Sequence, residues 1–373
     1  MAISIVRYSE SHIVAVREFN RRLREGGAPS DYVFSESHIP AWLPKRDESP
    51  VYNEFFLALD QGEVRGAFAL KHQAFSFAGS LKHLIYLHHP FSEGIVDKRY
   101  SQVGAQMLMR IVRDNPLLFA LGMGGYDRPL PRMLMALHWK HCLIPFYFRV
   151  CNVSKFLREM QVLRTSAPRR LVSDAIAVSG LGSLALKSWQ SLRGWKALNN
   201  NYRSDLVGEF DSWADTIWAE SAGDFAMAAV RDAETLRVLY PAKNRNVTRI
   251  RVLKGGQTVG WAVIGILHRP GHEQYGDLRV GTILDVLARP DHATAAIAAA
   301  TQMLNEQGAD LISSNQSHAA WTTALSHCGF LKGPSNFIFA AAPAVAQLLE
   351  PLSQTICRVH LNRGDGDNLL QYR

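Results

Sequence analysis

The chain of 373 residues has only four cysteines, and none of them stands in a Cys-x-x-Cys pair or in a spacing typical of zinc sites. Such a set favours reduced, mostly buried thiols over a disulfide framework. The N-terminus, MAISIVRYSESH, lacks the apolar run of a signal peptide, and no stretch of about 18 uncharged apolar residues exists to span a membrane. These absences predict a cytoplasmic protein without a structural metal. The cysteines are Cys142, Cys151, Cys328 and Cys357.

The basic charge is concentrated in the middle of the chain. The net charge is +8, and residues 155–203 hold nine basic side chains against two acidic ones, Glu159 and Asp174. A local basic block suits an anionic partner such as nucleic acid, anionic lipid or a polyanionic glycan, and it is also compatible with a solvated linker. Within this basic block, residues 171–189 are moderately apolar, but they carry too many polar side chains to cross a bilayer. Residues 164–203 therefore lie either along an anionic membrane surface or as an interdomain helix on protein.

At 373 residues, 47% hydrophobic and 20% charged, the chain is expected to form two globular domains. In the first half, alternating and helical apolar periods predict the order β, α, βββ, α, β, α, β. The segments are a strand at 3–8, a helix at 9–24, strands at 55–60, 64–77 and 81–88, a helix at 101–113, a strand at 117–121, a helix at 130–137 and strands around 143–150.

The segment between the third strand of the meander and the next helix carries a motif suited to phosphate. It reads Arg99-Tyr-Ser-Gln-Val-Gly104-Ala, so a helix start coincides with small residues. Amide hydrogens at a helix N-terminus and the positive end of its dipole attract phosphate, and small residues let phosphate approach the backbone. The candidate contacts are Arg99, Ser101, Gln102, Val103, Gly104 and Ala105.

This element order and this loop resemble the GNAT superfamily of acyl-CoA N-acyltransferases. The resemblance implies an α+β fold, with a mixed central sheet flanked by helices, and acetyl-CoA or another acyl-CoA as co-substrate. Gln102 stands where the family has its first glycine. Asp127 falls at the family's asparagine position, and Leu134 falls where many members have a tyrosine acid.

Direct acyl transfer requires a base, because an ammonium must lose its proton before it attacks a thioester. His88, His89 and Glu93 follow the third meander strand and are the candidates, and histidine titrates near neutrality. Tyr126 is the candidate proton donor in place of Leu134. No covalent enzyme intermediate and no metal are expected.

The second half repeats the pattern and closes with Gly329-Phe330, a pair typical of the same family. The place of its phosphate loop is taken by 293–298, which has no arginine and no first glycine, so this half is expected to bind CoA poorly. Asp285 is its one carboxylate placed for proton abstraction, or else a polar strand residue. The tail, Arg363-Gly-Asp365-Gly-Asp367, is either a plain turn or a site for a cation or an amine.

Together these observations predict two GNAT-like folds in tandem, similar to bacterial proteins of this kind. The expected boundaries are 1–153 for an acyl-CoA-binding domain, 154–205 for a basic helical linker, 206–345 for a degenerate second domain and 346–373 for a tail. The leading function is an acyl-CoA-dependent N-acyltransferase acting on an unknown amine, small-molecule or glycan acceptor. The alternatives are a Fem-type aminoacyl transferase of cell-envelope assembly, which would use tRNA, and a non-catalytic binding protein.

Overall fold

The structure is a computed structural model that describes residues 3–160 and 201–366. These residues form two compact units. The first unit comprises 3–143 and 336–355, and the second comprises 144–160, 201–335 and 356–366. Most of the predicted basic segment, including the membrane-surface candidate 164–203 up to residue 200, lies outside the described residues, as does Asp367.

The first unit contains seven strands and five α-helices among its described residues, numbered here in chain order through the whole chain. They are β1 Ser4–Arg7, α1 Ile13–Glu25, β2 Val51–Asp60, β3 Glu63–Phe77, β4 Ser80–Ser92, α2 Val103–Asp114, β5 Leu118–Gly122, α3 Pro129–Ala136, β6 Lys140–Leu143, β15 Ile338–Ala341, α9 Pro343–Leu348 and α10 Leu352–Thr355.

These strands form one mixed sheet in the order β1-β2-β3-β4-β5-β15-β6. Strands β1 to β4 are an antiparallel meander, β4 and β5 are parallel, and β15 is antiparallel to both of its neighbours. Helix α2 buries Val103, Met107, Leu108 and Ile111, a spacing that keeps one apolar face on the sheet. Helix α1 buries Val16, Phe19 and Leu23 in a second apolar cluster.

The second unit also has a seven-stranded mixed sheet, and its strands β9 and β16 pair with each other in parallel. Its described elements are β7 Phe146–Val150, α4 Val153–Glu159, β8 Tyr202–Val207, α5 Ser212–Ser221, β9 Met227–Ala229, α6 Ala233–Leu239, β10 Thr248–Lys254, β11 Gln257–His268, β12 Arg279–Ala288, α7 Ala293–Glu306, β13 Leu311–Asn315, α8 Ala319–His327, β14 Leu331–Gly333 and β16 Val359–His360.

The order of this second sheet is β14-β7-β13-β12-β11-β10-β8. Its antiparallel strands β8, β10, β11 and β12 are followed by the helix α7 and then by β13, which is parallel to β12. Each unit therefore has a meander followed by a helix and then by a strand parallel to the last strand of the meander, which is the repeated pattern predicted from the sequence. An apolar core cluster combines one face of β11 and β12, including Ala262, Ile264, Ile283 and Val286, with the alanine-rich helix α7.

The last strand of each half of the sequence lies in the sheet of the other unit. β7, within the expected domain 1–153, pairs with β13 and β14 of the second unit, and β15, within the expected domain 206–345, pairs with β5 and β6 of the first. The compact units thus divide the chain near residues 143 and 335 rather than at the expected boundaries. Apolar periodicity locates a strand but does not state which sheet it joins.

Candidate functional site

A gap opens between β4 and β5 in the first unit. The two described strands pair at only two positions, Ile85 with Leu118 and Tyr86 with Phe119, although β4 continues to Ser92 and β5 to Gly122. Beyond Tyr86 the edge of β4 no longer pairs with β5. His89 takes a left-handed backbone, φ 48°, where β4 makes a bulge against β3. With this bulge, β4 continues to Ser92, four residues beyond its predicted end at His88.

A cavity of about 220 Å³ lies beside this gap and the start of α2. Apolar side chains dominate its wall, with two serines near the helix start. Its lining residues are Tyr32, Leu87, Pro90, Ser92, Gly94, Ile95, Ser101, Gly104, Met107, Leu108, Ile111, Pro129, Leu130 and Met133. The cavity therefore extends from the first turn of α2 to its third, between α2, α3 and β4.

Gly104 is the second residue of α2 and borders this cavity. It is buried, but it lies in the first turn, where the amides of Val103, Gly104 and Ala105 have no carbonyl one turn back in the helix to bond. A methyl group added to Gly104 would meet Ser92 Oγ at 3.6 Å and Met133 Cε at 3.7 Å, in ordinary contact. The predicted helix start thus coincides with an open space large enough for part of a ligand.

The rest of the predicted phosphate loop surrounds the same helix start. Ser101 lines the cavity, and Gln102 directly precedes α2. Arg99 lies in the preceding short helical turn, with its side chain 81% exposed and ion-paired to Asp97 at 2.7 Å. Hydrogen bonds from Arg99 hold the pKa of Asp97 below its ordinary value. Asp127 follows β5 and lies against Gly125, on the loop that leads into α3.

His88 and His89 differ sharply in environment. His88 is buried, and its Nε2 lies 3.1 Å from Asn53 Oδ1, while its ring stacks on Tyr86 at 5.1 Å. His89 is exposed, at the bulge, with its ring parallel to that of Phe91. The Tyr86 hydroxyl donates to the Leu121 carbonyl at 3.1 Å and so bridges β4 and β5 beside the gap. Leu87 lines the cavity, so alternation along β4 places Tyr86 and His88 on the opposite face of the sheet.

The structure gives the Glu93 carboxylate another role than that of a base. It is buried and accepts hydrogen bonds from Arg22 Nε at 2.9 Å and from Arg65 Nη1 at 3.0 Å. These two guanidinium groups join α1 and β3 to the turn after β4. Both oxygens of this carboxylate are engaged by the two guanidinium groups, and Glu93 is not among the cavity-lining residues. We therefore assign Glu93 a structural role.

Tyr126 is also separated from the cavity wall described above. Its hydroxyl lies 3.0 Å from His141 Nδ1, and burial raises the pKa of the phenol. The loop that holds it contains four consecutive residues with positive φ, from Gly122 to Gly125. This turn connects β5 to α3.

The equivalent helix start in the second unit is filled by protein. Ala293 and Ala296, at the start of α7, are buried in the apolar core, and the Tyr202 hydroxyl lies 3.1 Å from Nδ1 of the preceding His292. That 293–298 makes a poor phosphate site stays a prediction. At the start of α7, where the motif would have its first glycine, alanine side chains are packed in the apolar core.

Asp285 lies in a buried polar cluster and is not placed for proton abstraction. Its Oδ2 accepts from Arg231 Nε at 2.7 Å and from the Tyr240 hydroxyl at 2.8 Å, and its Oδ1 accepts from Asn362 Nδ2 at 2.8 Å. Burial by itself would raise the pKa of Asp285, but the Arg231 guanidinium and these hydrogen bonds hold it below the ordinary value. Asp285 therefore stays ionised as a structural anion.

The same cluster explains the described part of the Arg-Gly-Asp tail. Arg231 Nη2 donates to Asp365 at 2.6 Å, and Arg363 Nε donates to Asn315 Oδ1 at 2.9 Å. The prediction that Asp365 binds a cation or an amine is wrong, since a protein guanidinium occupies it. The sequence analysis missed Arg231, Tyr240 and Asn362 in this cluster and Asn53 beside His88. The sequence feature that could have indicated these residues is a polar side chain within or beside an otherwise apolar run.

Three solved structures that resemble this chain are described as acyltransferases. The chain resembles a GCN5-related N-acetyltransferase from Anabaena variabilis, with TM-score 0.51, 8% identity and coverage of 91% of this chain and 73% of that one. It also resembles the Saccharomyces cerevisiae N-myristoyltransferase with bound myristoyl-CoA, with TM-score 0.50, 11% identity and coverage of 91% and 82%. A probable N-acyltransferase from Enterococcus faecalis gives TM-score 0.50, 9% identity and coverage of 94% and 75%.

No family model matches the sequence, and a comparison with curated proteins finds no match. The structural likeness, together with the two mixed sheets and their meander–helix–parallel strand pattern, identifies the fold as GNAT-like and repeated in tandem. The predicted fold class is therefore confirmed. In the part of the chain that the structure describes, no helix is long and apolar enough to cross a membrane.

Proposed function

We propose that the protein is an acyl-CoA-dependent N-acyltransferase and that its first unit binds the acyl donor. The observation that carries the proposal is the juxtaposition of Gly104, in the first turn of α2, with a cavity of about 220 Å³ beside the gap between β4 and β5. In the second unit the corresponding helix is α7, and the alanines at its start are packed in the apolar core. The proposal therefore concerns the first unit alone.

The donor would be held at two chemically different places. The pyrophosphate would accept from the amides of Val103 to Ala105, with Ser101 and the exposed Arg99 beside it. The pantetheine arm would follow the apolar wall and pair its amides with the edge of β4 that has left β5. Ile111 and Leu108 would then surround its least polar part.

The reaction is direct transfer at the gap. The acceptor nitrogen attacks the thioester carbonyl, a carbon–nitrogen bond forms, the carbon–sulfur bond breaks, and the nitrogen loses a proton. The candidate bases are His89, which is exposed at the bulge, and His88, which is buried beside Asn53. The departing thiolate takes a proton, for which Tyr126 and Tyr86 are the candidates. Of these, Tyr86 bridges the two strands at the gap.

The test is ligand-dependent stability. Acetyl-CoA and longer acyl-CoA esters at about one hundred times Kd would stabilise the first unit by about 2.7 kcal/mol and raise its unfolding transition by several degrees. Gly104→Glu places a carboxylate at the helix start and should abolish the shift. Met109→Glu is the matched control, because Met109 is exposed on the same helix and does not line the cavity.

Release of free thiol in the presence of a panel of amines and amino sugars then measures turnover. Absence of a thermal shift with every acyl-CoA would contradict the proposal. Binding of CoA without turnover on any acceptor would instead support a non-catalytic CoA-binding protein.

A further inference from the structure

Tyr32 brings an ionisable side chain to the wall of the cavity in the first unit. The other described residues that line this cavity have apolar or hydroxyl side chains or are glycines, so Tyr32 alone among them has an ionisable group. Tyr32 lies in the segment between α1 and β2, far in sequence from the phosphate motif that begins at Arg99. Only the fold brings the two together.

The backbone around Tyr32 is tied to α1. Two residues later, the buried Asn20 side chain of α1 holds Phe34 by its carbonyl at 2.9 Å and by its amide at 3.0 Å. The Tyr32 amide donates to the Pro29 carbonyl at 2.9 Å and closes a turn. These contacts determine where the Tyr32 side chain lies.

The Tyr32 ring packs beside the edge of β4 that has left β5. It meets the Phe91 ring edge to face, with the two centroids 5.0 Å apart. Phe91 lies between two cavity-lining residues, Pro90 and Ser92. All three follow Tyr86, the last described residue of β4 that pairs with β5. Tyr32 therefore stands beside the gap at which the proposed transfer takes place.

The cavity wall combines side chains from both faces of the sheet. Tyr32 and Phe91 pack in the apolar cluster with α1, whereas Leu87 packs in the cluster with α2. Ala67 and Phe68, neighbours on β3, are divided between the same two clusters, and neighbouring strand residues point to opposite faces. A donor that enters beside α2 therefore meets Tyr32 from the other face at the gap.

The Tyr32 phenol has a proton to give. Burial raises the pKa of the phenol, the Asp31 carboxylate raises it further, and the Arg128 guanidinium opposes both effects. The phenol therefore stays protonated at neutral pH. Within residues 3–160 and 201–366 its hydroxyl makes no hydrogen bond, so it can donate to an anion that forms in the cavity.

Tyr86 and Tyr126 are placed differently. The Tyr86 hydroxyl donates to the Leu121 carbonyl at 3.1 Å, and the Tyr126 hydroxyl lies 3.0 Å from His141 Nδ1. Neither tyrosine is among the cavity-lining residues. Each would have to give up its protein partner before it could reach a thiolate in the cavity.

We propose that Tyr32 is the catalytic acid that protonates the departing thiolate of CoA. This inference rests on the proposed function. The acceptor nitrogen bonds to the thioester carbon, the carbon–sulfur bond breaks with both electrons on sulfur, and sulfur takes the phenolic proton. The Tyr32 phenolate then regains a proton from solvent, which balances the proton that the nitrogen releases.

The first measurement uses full-length protein with bound CoA and needs no acceptor. The thiolate absorbs ultraviolet light that the thiol does not, and protein saturated with desulfo-CoA gives the background of the protein's own phenols. Because a hydroxyl that donates to the thiolate stabilises it, the pKa of the bound thiol should be lower by about one unit or more on wild type than on Tyr32→Phe. Equal values would overturn the inference.

The second measurement is turnover, followed as release of free thiol. Tyr32→Phe keeps the ring that packs on Phe91 and removes only the hydroxyl. It should lower kcat about 100-fold, because general acid catalysis of thiolate departure is lost, and leave the KM for the acyl-CoA nearly unchanged. An unchanged kcat, or a loss confined to KM, would overturn the role of Tyr32 as an acid.

Tyr8 supplies the matched control. It packs in the same apolar cluster as Tyr32, is 4% exposed and is not among the cavity-lining residues. Tyr8→Phe makes the same chemical change and should keep the thiol pKa and the kcat of the wild type. If wild-type protein binds no CoA, the proposed function fails and the role of Tyr32 fails with it. If CoA binds with the same thiol pKa on wild type and on Tyr32→Phe, only the role of Tyr32 fails.

Discussion

Arg231 and Asp285 form an ion pair of 2.7 Å in which neither side chain is more than 1% exposed. Arg231 also binds Asp365 at 2.6 Å, so one guanidinium compensates two carboxylates from β12 and from the segment after β16. A buried charge whose partner is removed strongly destabilises the folded state. The cluster therefore ties residues 359–366 to the core of the second unit.

Replacing Arg231 should destabilise the second unit strongly. Arg231→Met leaves Asp285 and Asp365 buried without their cation, and the expected loss is about 3–5 kcal/mol in the free energy of unfolding. Urea denaturation measures it. Arg289→Met is the control, since Arg289 and Asp291 form an exposed pair of 3.6 Å and should contribute less than about 1 kcal/mol. Equal losses in the two variants would refute the assignment of the cluster.

Gly364 is required by packing against the same cluster. A methyl group at this position would lie 2.4 Å from the Tyr240 hydroxyl oxygen and 2.7 Å from Asp285 Oδ2. Gly364→Ala should therefore destabilise by about 1–3 kcal/mol. Because Tyr240→Phe removes the nearer oxygen, the double variant should lose less than the sum of the two single losses. Strict additivity in a double-mutant cycle would contradict the steric explanation.

Much of the first unit follows from its sequence. The predicted helix at 101–113 is α2, the strand at 64–77 differs from β3 by one residue at its start, and the strand at 117–121 differs from β5 by one residue at each end. These elements have long apolar periods and clear turn residues, such as Gln61-Gly62 between β2 and β3. The sequence also placed Gly104 at the start of this helix, where the structure has it as the second residue of α2, and its contact with a phosphate stays a prediction.

Long-range contacts were not predictable in the same way. The exchange of β7 and β15 between sheets, the contact of Asn53 with His88 and the pairing of Glu93 with Arg22 all join residues at least 35 positions apart in the chain. Glu93 has the residue type and the position of a catalytic base, and only the two arginines reveal its structural role. The local sequence pattern predicts where such a side chain lies in a strand or turn, whereas its contact partner depends on how distant segments pack together.

Histidine protonation should weaken the second unit in acid. Burial lowers the pKa of His318 to about 4, whereas an unfolded histidine titrates near 6.5. The unfolded chain therefore takes up a proton that the folded one refuses, and stability falls as pH decreases from about 6.5 towards 4. Asn is a good helix cap and does not titrate, so His318→Asn keeps the cap of α8 and should flatten this part of the curve. Denaturation midpoints between pH 7 and 5 test it, and parallel curves for wild type and variant would contradict the effect.

Filling the cavity should separate ligand binding from folding. Met133 on α3 lines the cavity, and its Cε lies 3.7 Å from the place of a methyl group on Gly104. Met133→Trp should occupy the space where the donor would lie and weaken acyl-CoA binding at least about 10-fold, which is about 1.4 kcal/mol. Isothermal titration with acetyl-CoA measures the change.

The control for this variant lies on the same helix. Met135 follows two positions later, which turns its side chain to the other side of α3, and it does not line the cavity. Met135→Trp should therefore retain the affinity of the wild type. Should Met133→Trp bind acyl-CoA as tightly as Met135→Trp, the donor would have to lie elsewhere. The helix start at Val103 would then contact phosphate without the cavity, or have no part in binding.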